Sequence, residues 1–228
     1  MRIEIFSDIA CPWCFIGKRR LERALADAHA EAEAELVFRA FQLQPGLPIE
    51  GVPAAEFFER KFGGKERVRA LFERLVEVGR ADGIAFDFSA QRRAPNTELA
   101  QRVIRWASAC GLGARTVEAL FSGYFELGID VGNLSDLALL LERKGVGLDE
   151  SQLIDAMSSG YGKDEVAADL RTARDYGIAS VPMFVFERRY VVEGAQPVEH
   201  FTRLIAKLRA EDAPHLRVQS PARVAGRT

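Results

Sequence analysis

Ile3-Glu4-Ile5-Phe6-Ser7-Asp8-Ile9-Ala10-Cys11-Pro12-Trp13-Cys14 is the stretch on which the fold turns. Ile3 and Ile5 alternate with Glu4 over a short run, which is the period of a β-strand. Past Cys11 the period changes. Cys14, Gly17, Leu21, Ala24, Leu25 and Ala28 recur at helical spacing, and Lys18, Arg19, Glu22 and Arg23 fall elsewhere on the wheel. A strand therefore ends, the chain turns, and a helix starts at or just after Cys11. Pro12 suits the first helical turn, where its missing N–H would have had no partner. Cys14 continues the buried stripe. Cys11 is expected at the helix mouth, where free N–H groups and the positive end of the helix dipole favour a thiolate. Cys14, three residues on, can attack a mixed disulfide formed at Cys11, so the pair has the parts needed for thiol–disulfide exchange.

A C-x-x-C can also be half of a zinc site. The only other cysteine is Cys110, and His29, His200 and His215 form no H-x-x-x-H pattern, so no metal is expected. The chain has 228 residues, 48% of them apolar, and a formal net charge of −2. That is enough for a sizeable core, and the interspersed charges give no basic stripe for nucleic acid. Arg2, Glu4 and Asp8 interrupt any apolar leader, and no run approaches a membrane span. The expected location is the cytoplasm, where a C-x-x-C is more often catalytic than a structural disulfide.

Along the chain, Glu35 to Pro45 reads as a second strand, apolar on both faces, as a central strand would be. Strand, helix, strand implies a βαβ unit with parallel strands. From about Pro53 to Gly160 helical periods dominate: Ala54–Phe62, a stripe from Val68 to Val76, a helix capped by Asn96 or Thr97 and running to Cys110, and segments near 115–127, 135–144 and 149–158. Ile84, Phe86 and Phe88 alternate briefly between them. The α/β style then returns with a helix over 163–176, Val181-Pro182, strands at 183–186 and 190–193, and a last helix after Pro197. From Asp212 the polar, proline-containing tail is expected to be mobile. Cys110, Trp106 and Phe72 are expected in the core, Asp8 as a cap of the turn, and His200 on the surface or in packing.

These residues carry a resemblance. Strand, CPWC, helix and strand, then a helical block, then helix, X-Pro, hairpin and helix is similar to the DsbA family of the thioredoxin superfamily. Ser7–Gly17, Phe41-Gln42-Leu43-Gln44-Pro45 and Gly194-Ala195-Gln196-Pro197 resemble its FrnE-like subfamily. The resemblance implies an α/β, thioredoxin-like fold with a large helical insertion: residues 1–45 and 162–210 as the thioredoxin-like part, 46–161 inserted, 211–228 a flexible tail. It implies a thiol–disulfide oxidoreductase with Cys11 as nucleophile and Cys14 as resolving thiol, supported by Pro12, Trp13 and a cis Pro182. Val181, Phe15 and Asn96 are the expected substrate contacts, although Asn96 also reads as a helix cap. Partners would be thiol- or disulfide-containing proteins and peptides. No cofactor is expected beyond the redox-active disulfide, with glutathione as a co-substrate. The 2-hydroxychromene-2-carboxylate isomerases and kappa-class glutathione transferases resemble the same architecture but typically carry serine at the Cys11 position, which gives a rival, glutathione-dependent reading. A third reading is a redox-inactive holdase that grips unfolded chains through exposed Trp13 and Phe15.

Overall fold

The computed structural model describes residues 1–212. Strand β1 (Arg2–Ser7) leads into helix α1 (Pro12–Asp27), and β2 (Glu35–Ala40) returns parallel to β1, with Ile3 opposite Leu36 and Ile5 opposite Phe38. Strands β5 (Met183–Phe186) and β6 (Tyr190–Glu193) complete the sheet, in the order β2-β1-β5-β6, with β5 antiparallel to β1. Between them run α2 (Ala54–Phe62), α3 (Lys65–Ala81), α4 (Glu98–Ala109), α5 (Gly113–Glu126), α6 (Leu134–Arg143), α7 (Glu150–Ser158) and α8 (Lys163–Asp175); α9 (Val198–Asp212) follows the sheet. A two-residue ribbon pairs β3 (Val52–Pro53) with β4 (Arg93–Ala94). The fold is the DsbA-like α/β arrangement.

Side chains alternate across a strand, so the register assigns the two faces. Ile3, Ile5, Phe38, Phe184 and Phe186 share one face, covered by α1 and α9. There Phe201 of α9 meets Phe184 edge-on at 5.0 Å. Glu4, Phe6 and Arg39 share the other, towards α8. Strand β2 therefore lies at the sheet edge, and the expectation of a central strand is corrected. Its apolar side chains reflect the helices packed on it, since α8, α4 and α5 all lie against it. It also ends at Ala40 instead of Pro45, because its partner β1 ends at Ser7; only the Phe41 N–H still reaches the Ser7 carbonyl, at 3.1 Å. The 84–88 run forms no strand; Ile84 and Phe86 are buried in a loop. Helix α9 extends through Asp212, so residues 211–212 are helical, and the rest of the expected tail lies outside the described residues.

The α8 face holds an ion network. Arg39 donates to Glu4 and, at 3.0 Å, to Asp169 of α8, whose second oxygen accepts the Ala40 N–H. Burial pushes the Glu4 carboxyl up, but the hydrogen bonds and charges of Arg39 and Arg2 outweigh it and leave the pKa lowered. A lowered folded-state pKa gives stability that is present above the unfolded value and lost as pH falls through the folded one. Arg39→Met leaves two enclosed carboxylates short of their cation and should destabilise by ~3 kcal/mol at pH 7. The deficit should shrink in acid, where the wild type loses the same pairing. Urea melts at pH 7 and pH 3.5 check it; an equal deficit at both pH values would remove the network from the account.

Candidate active site

Cys11 is the N-cap of α1 and keeps an extended backbone (φ −101°, ψ 110°), with Pro12 opening the helix. Two bonds shape the turn from β1: the Asp8 carbonyl accepts the Cys11 N–H at 3.0 Å, and the Cys11 carbonyl accepts the Cys14 N–H at 3.0 Å. Cys11, Cys14 and Cys110 are all free thiols in the structure. Cys11 stands at the helix N-terminus as the spacing requires, and it is only 4% exposed. Its Sγ lies 3.6 Å from the Val181 carbonyl oxygen, to which the thiol can donate. Val181 precedes Pro182 through a cis peptide bond and lies just before β5. The loop and helix touch closely, since a Cβ at Gly17 would come within 3.0 Å of both the Pro182 ring and Phe184. A glycine at that position lets α1 approach the loop that carries Val181.

Cys14 lies on the buried side, 2% exposed. Burial pushes its pKa well above the ordinary thiol value. The hydrogen bond and charge of Cys11 push the same way, and bonds from the Ser7 side chain and the Asp8 backbone only partly oppose them. The two thiols are thus equally sheltered but differently placed. One caps a helix against a carbonyl; the other is held neutral inside.

Asp8 organises the turn beyond capping it. It is 1% exposed, and its carboxylate accepts N–H groups from Ala10 at 3.1 Å and Leu43 at 2.6 Å. Burial raises its pKa, outweighing these bonds, the Thr97 hydroxyl and the charge of Lys61. A cavity of roughly 30 Å³ borders Asp8, Ala10, Lys61, Thr97 and Tyr124, room for about one water. Gln101 of α4 clamps the same place by donating to the Ser7 carbonyl at 2.9 Å and the Phe41 carbonyl at 3.1 Å. Sequence reasoning missed Ser7 and Gln101 here. For Asp8 the available signal was an acid three residues before Cys11, just after a strand built to be buried.

The remaining expected residues divide. Pro12 and Trp13 are half-buried beside the pair. Asn96 is 8% exposed and fully engaged: its oxygen accepts from Glu98 N–H and Gln42, each at 3.0 Å, and its amide donates to the Leu47 carbonyl at 2.8 Å. It thereby ties the loop after β2 to the start of α4. Phe15 is not exposed. It is sealed at 0% against α5, stacked on Phe121 at 5.0 Å and 7°, because α5 covers the flank of α1 that the helical stripe left free. The same flank buries Lys18, paired with Glu22 and Glu118 at 2.7 Å each. Cys110 is exposed, which corrects its expected core placement: as the C-cap of α4 it lies beyond the last packed turn. Trp106 and Phe72 are half-buried against the core, and His200 is exposed.

A family model described as the DSBA-like thioredoxin domain matches residues 2–206. Among solved structures, a probable DsbA oxidoreductase from Streptomyces coelicolor is 33% identical, covers 94% of this chain and 92% of its own, and superposes with a TM-score of 0.84. A 2-hydroxychromene-2-carboxylate isomerase is 16% identical over 92% of this chain and 98% of its own, with a TM-score of 0.68. The cytosolic disulfide reductase DsbM from Pseudomonas aeruginosa, solved with glutathione, is 19% identical over 92% of this chain and 100% of its own, with a TM-score of 0.64. At such identities the last two show the shared fold alone.

Proposed function

We propose, since the chain belongs to the DSBA-like thioredoxin domain family, that it is a thiol–disulfide oxidoreductase working through Cys11 and Cys14. The observation that carries this reading is the asymmetry of the pair: Cys11 caps α1 with its sulfur against the Val181 carbonyl, whereas Cys14 is buried with its pKa pushed up. In the reducing direction the Cys11 thiolate attacks one sulfur of a substrate disulfide. A Cys11–substrate disulfide forms and the first substrate thiolate leaves, to be protonated. Cys14 then gives up its proton, attacks Cys11 Sγ and releases the second thiolate. Two electrons pass to the substrate and a Cys11–Cys14 disulfide remains; oxidation of a dithiol runs the same steps backwards. The Val181 backbone is suited to pair with an extended peptide laid beside the thiols, in the manner of strand addition. Pro182, having no N–H, offers no competing donor there. Trp13, half-buried beside the pair, is the proposed support of the active site, and Asn96 a further proposed substrate contact.

Protein or peptide thiols and disulfides are the proposed partners, with glutathione as the small-thiol co-substrate and the cytoplasm as the compartment. Among the described residues no helix is long and apolar enough to cross a membrane. Residues 1–45 and 162–210 are read as the thioredoxin-like part and 46–161 as the inserted cover.

The test is insulin reduction with glutathione as electron donor, alongside alkylation of the reduced protein by iodoacetamide with the adducts mapped. Exposed Cys110 should label first. Cys11 should follow, and Cys14 should lag Cys11 by about tenfold or more, because only a thiolate is alkylated at a useful rate. Labelling of Cys14 before Cys11 would reverse the assigned roles, and absence of insulin reduction would end the oxidoreductase reading.

A further inference from the structure

Ser7 is the last residue of β1, and strand alternation puts it on the face of Ile3 and Ile5. Helix α1 covers that face. Gly17 packs there against the Pro182 ring and Phe184, and Cys14 lies one turn earlier on the same buried stripe. Ser7 therefore faces Cys14, as a hydroxyl that ends a row of two isoleucines. It is 7% exposed, and a hydroxyl so enclosed needs a partner. That partner is the Cys14 sulfur, on which the Asp8 N–H converges as well.

Both donors are held from outside the strand. The Ser7 carbonyl accepts the Phe41 N–H at 3.1 Å and the Gln101 amide of α4 at 2.9 Å. The Asp8 carboxylate accepts the N–H groups of Ala10 and Leu43. Neither donor can swing off the sulfur without breaking bonds to the segment after β2. Donors fixed in advance are those that best stabilise a charge as it develops. Two titratable groups neighbour Cys14. Cys11, on the same helix, carries no charge once its sulfur is tied in a mixed disulfide. Asp8, on the turn from β1, has its carboxylate turned to Ala10 and Leu43.

We propose that Ser7 is a further catalytic residue, whose hydroxyl donates to the Cys14 sulfur while that sulfur carries the negative charge of the resolving step. This rests on the reading of Cys14 as the resolving thiol. In that step the Cys14 proton passes to solvent base and the thiolate attacks Cys11 Sγ. The Cys11–Cys14 bond forms, the Cys11–substrate bond breaks, and the substrate thiolate leaves and takes up a proton. Ser7 keeps its own proton throughout. In the opposite direction the same hydroxyl meets the charge as Cys14 leaves.

A hydrogen bond to a charged group lowers the pKa of an acid by about one to two units. A more basic thiolate regains about threefold in reactivity per unit, so loss of the hydroxyl should slow release by about three- to tenfold. The experiment is stopped-flow reaction of the reduced full chain with dithiobis(nitrobenzoate). Every chain carries Cys110→Ser, which silences the exposed third thiol. The first nitrothiobenzoate to appear reports attack by Cys11, and the second reports its release by Cys14. Ser7→Ala should leave the first phase unchanged and slow the second by that factor. Ser7→Thr keeps the hydroxyl and should restore the second phase. A second phase in Ser7→Ala as fast as that of the parent chain overturns the proposal. So does slowing of both phases by the same factor, the mark of a merely structural role. A threonine variant that melts as the parent does, yet releases as slowly as the alanine variant, overturns it too. A parent chain without two phases would instead overturn the assignment of Cys11 and Cys14 on which the proposal rests, so the two failures are distinguishable.

Discussion

Cys11→Ser should lower insulin-reduction turnover by about a thousandfold or more, because a serine oxygen cannot form the mixed disulfide on which both later steps depend. Cys14→Ser should behave differently. Cys11 still attacks, the second attack is missing, and a covalent complex with substrate accumulates that a mass spectrum identifies. The pair therefore gives two distinct losses, one of attack and one of release. Retention of a tenth or more of wild-type turnover in Cys11→Ser would sink the mechanism. If the serine variant instead kept a glutathione-dependent activity on a substrate without a disulfide, the isomerase or transferase reading would replace it.

The wild-type rate should also respond to pH in a defined sense. Burial holds the Cys14 pKa above the ordinary thiol range, and this cause persists when Cys11 is tied up in a mixed disulfide and its charge is gone. Below that pKa each pH unit raises the Cys14 thiolate fraction about tenfold, so release of substrate from the mixed disulfide should accelerate with pH across the neutral and mildly alkaline range. Single-turnover release measured between pH 6 and pH 9 checks the slope; a flat profile would mean that Cys14 deprotonation does not limit release.

The parts of this site that were legible in the sequence are those set by short-range periodicity. A strand period passing into a helix period at Cys11-Pro12 placed the thiols at a helix start. The bounds of α2, β5 and β6 followed from Gly63, Pro182 and the tight 187–189 connection. What was not legible came from contacts distant in sequence. The apolar stripe of α1 shows one buried face, yet Phe15 and Lys18 are buried on a second by α5, about a hundred residues further on; the Lys18–Glu118 pair has no local signature. The β3–β4 ribbon is two residues long and leaves no period to read. Ser7 and Gln101 join the site only because β1, β2 and α4 converge there. Cys110 failed for the opposite reason: it continues a helical pattern past the point where anything packs against it.

Phe15→Ala should destabilise the chain by ~3–5 kcal/mol, the usual loss for a large buried aromatic truncated to alanine. The site cannot readily collapse, because the ring fills the seam between α1 and α5. Phe121 stacks on it at 5.0 Å, Phe125 lies at 6.4 Å, Phe86 meets it edge-on at 6.1 Å, and the Arg19 guanidinium stands 5.3 Å from its centroid. For a chain of this length such a loss lowers the melting temperature by ~10 °C or more. The same substitution separates two accounts of the aromatic residues that flank the thiols. If Phe15 were an exposed grip for unfolded chains, Phe15→Ala would weaken capture of a denatured client and leave the melt unchanged. With Phe15 sealed at 0% exposure, the melt should fall, whereas Trp13→Ala, at a half-buried position, should cost less stability and be felt in substrate affinity. Urea denaturation of both variants, with binding of a reduced, unfolded client measured below the transition, distinguishes them. A Phe15→Ala melt within about 1 kcal/mol of wild type, far below the loss expected for a buried ring, would show that the α1–α5 seam does not hold the active-site helix in place.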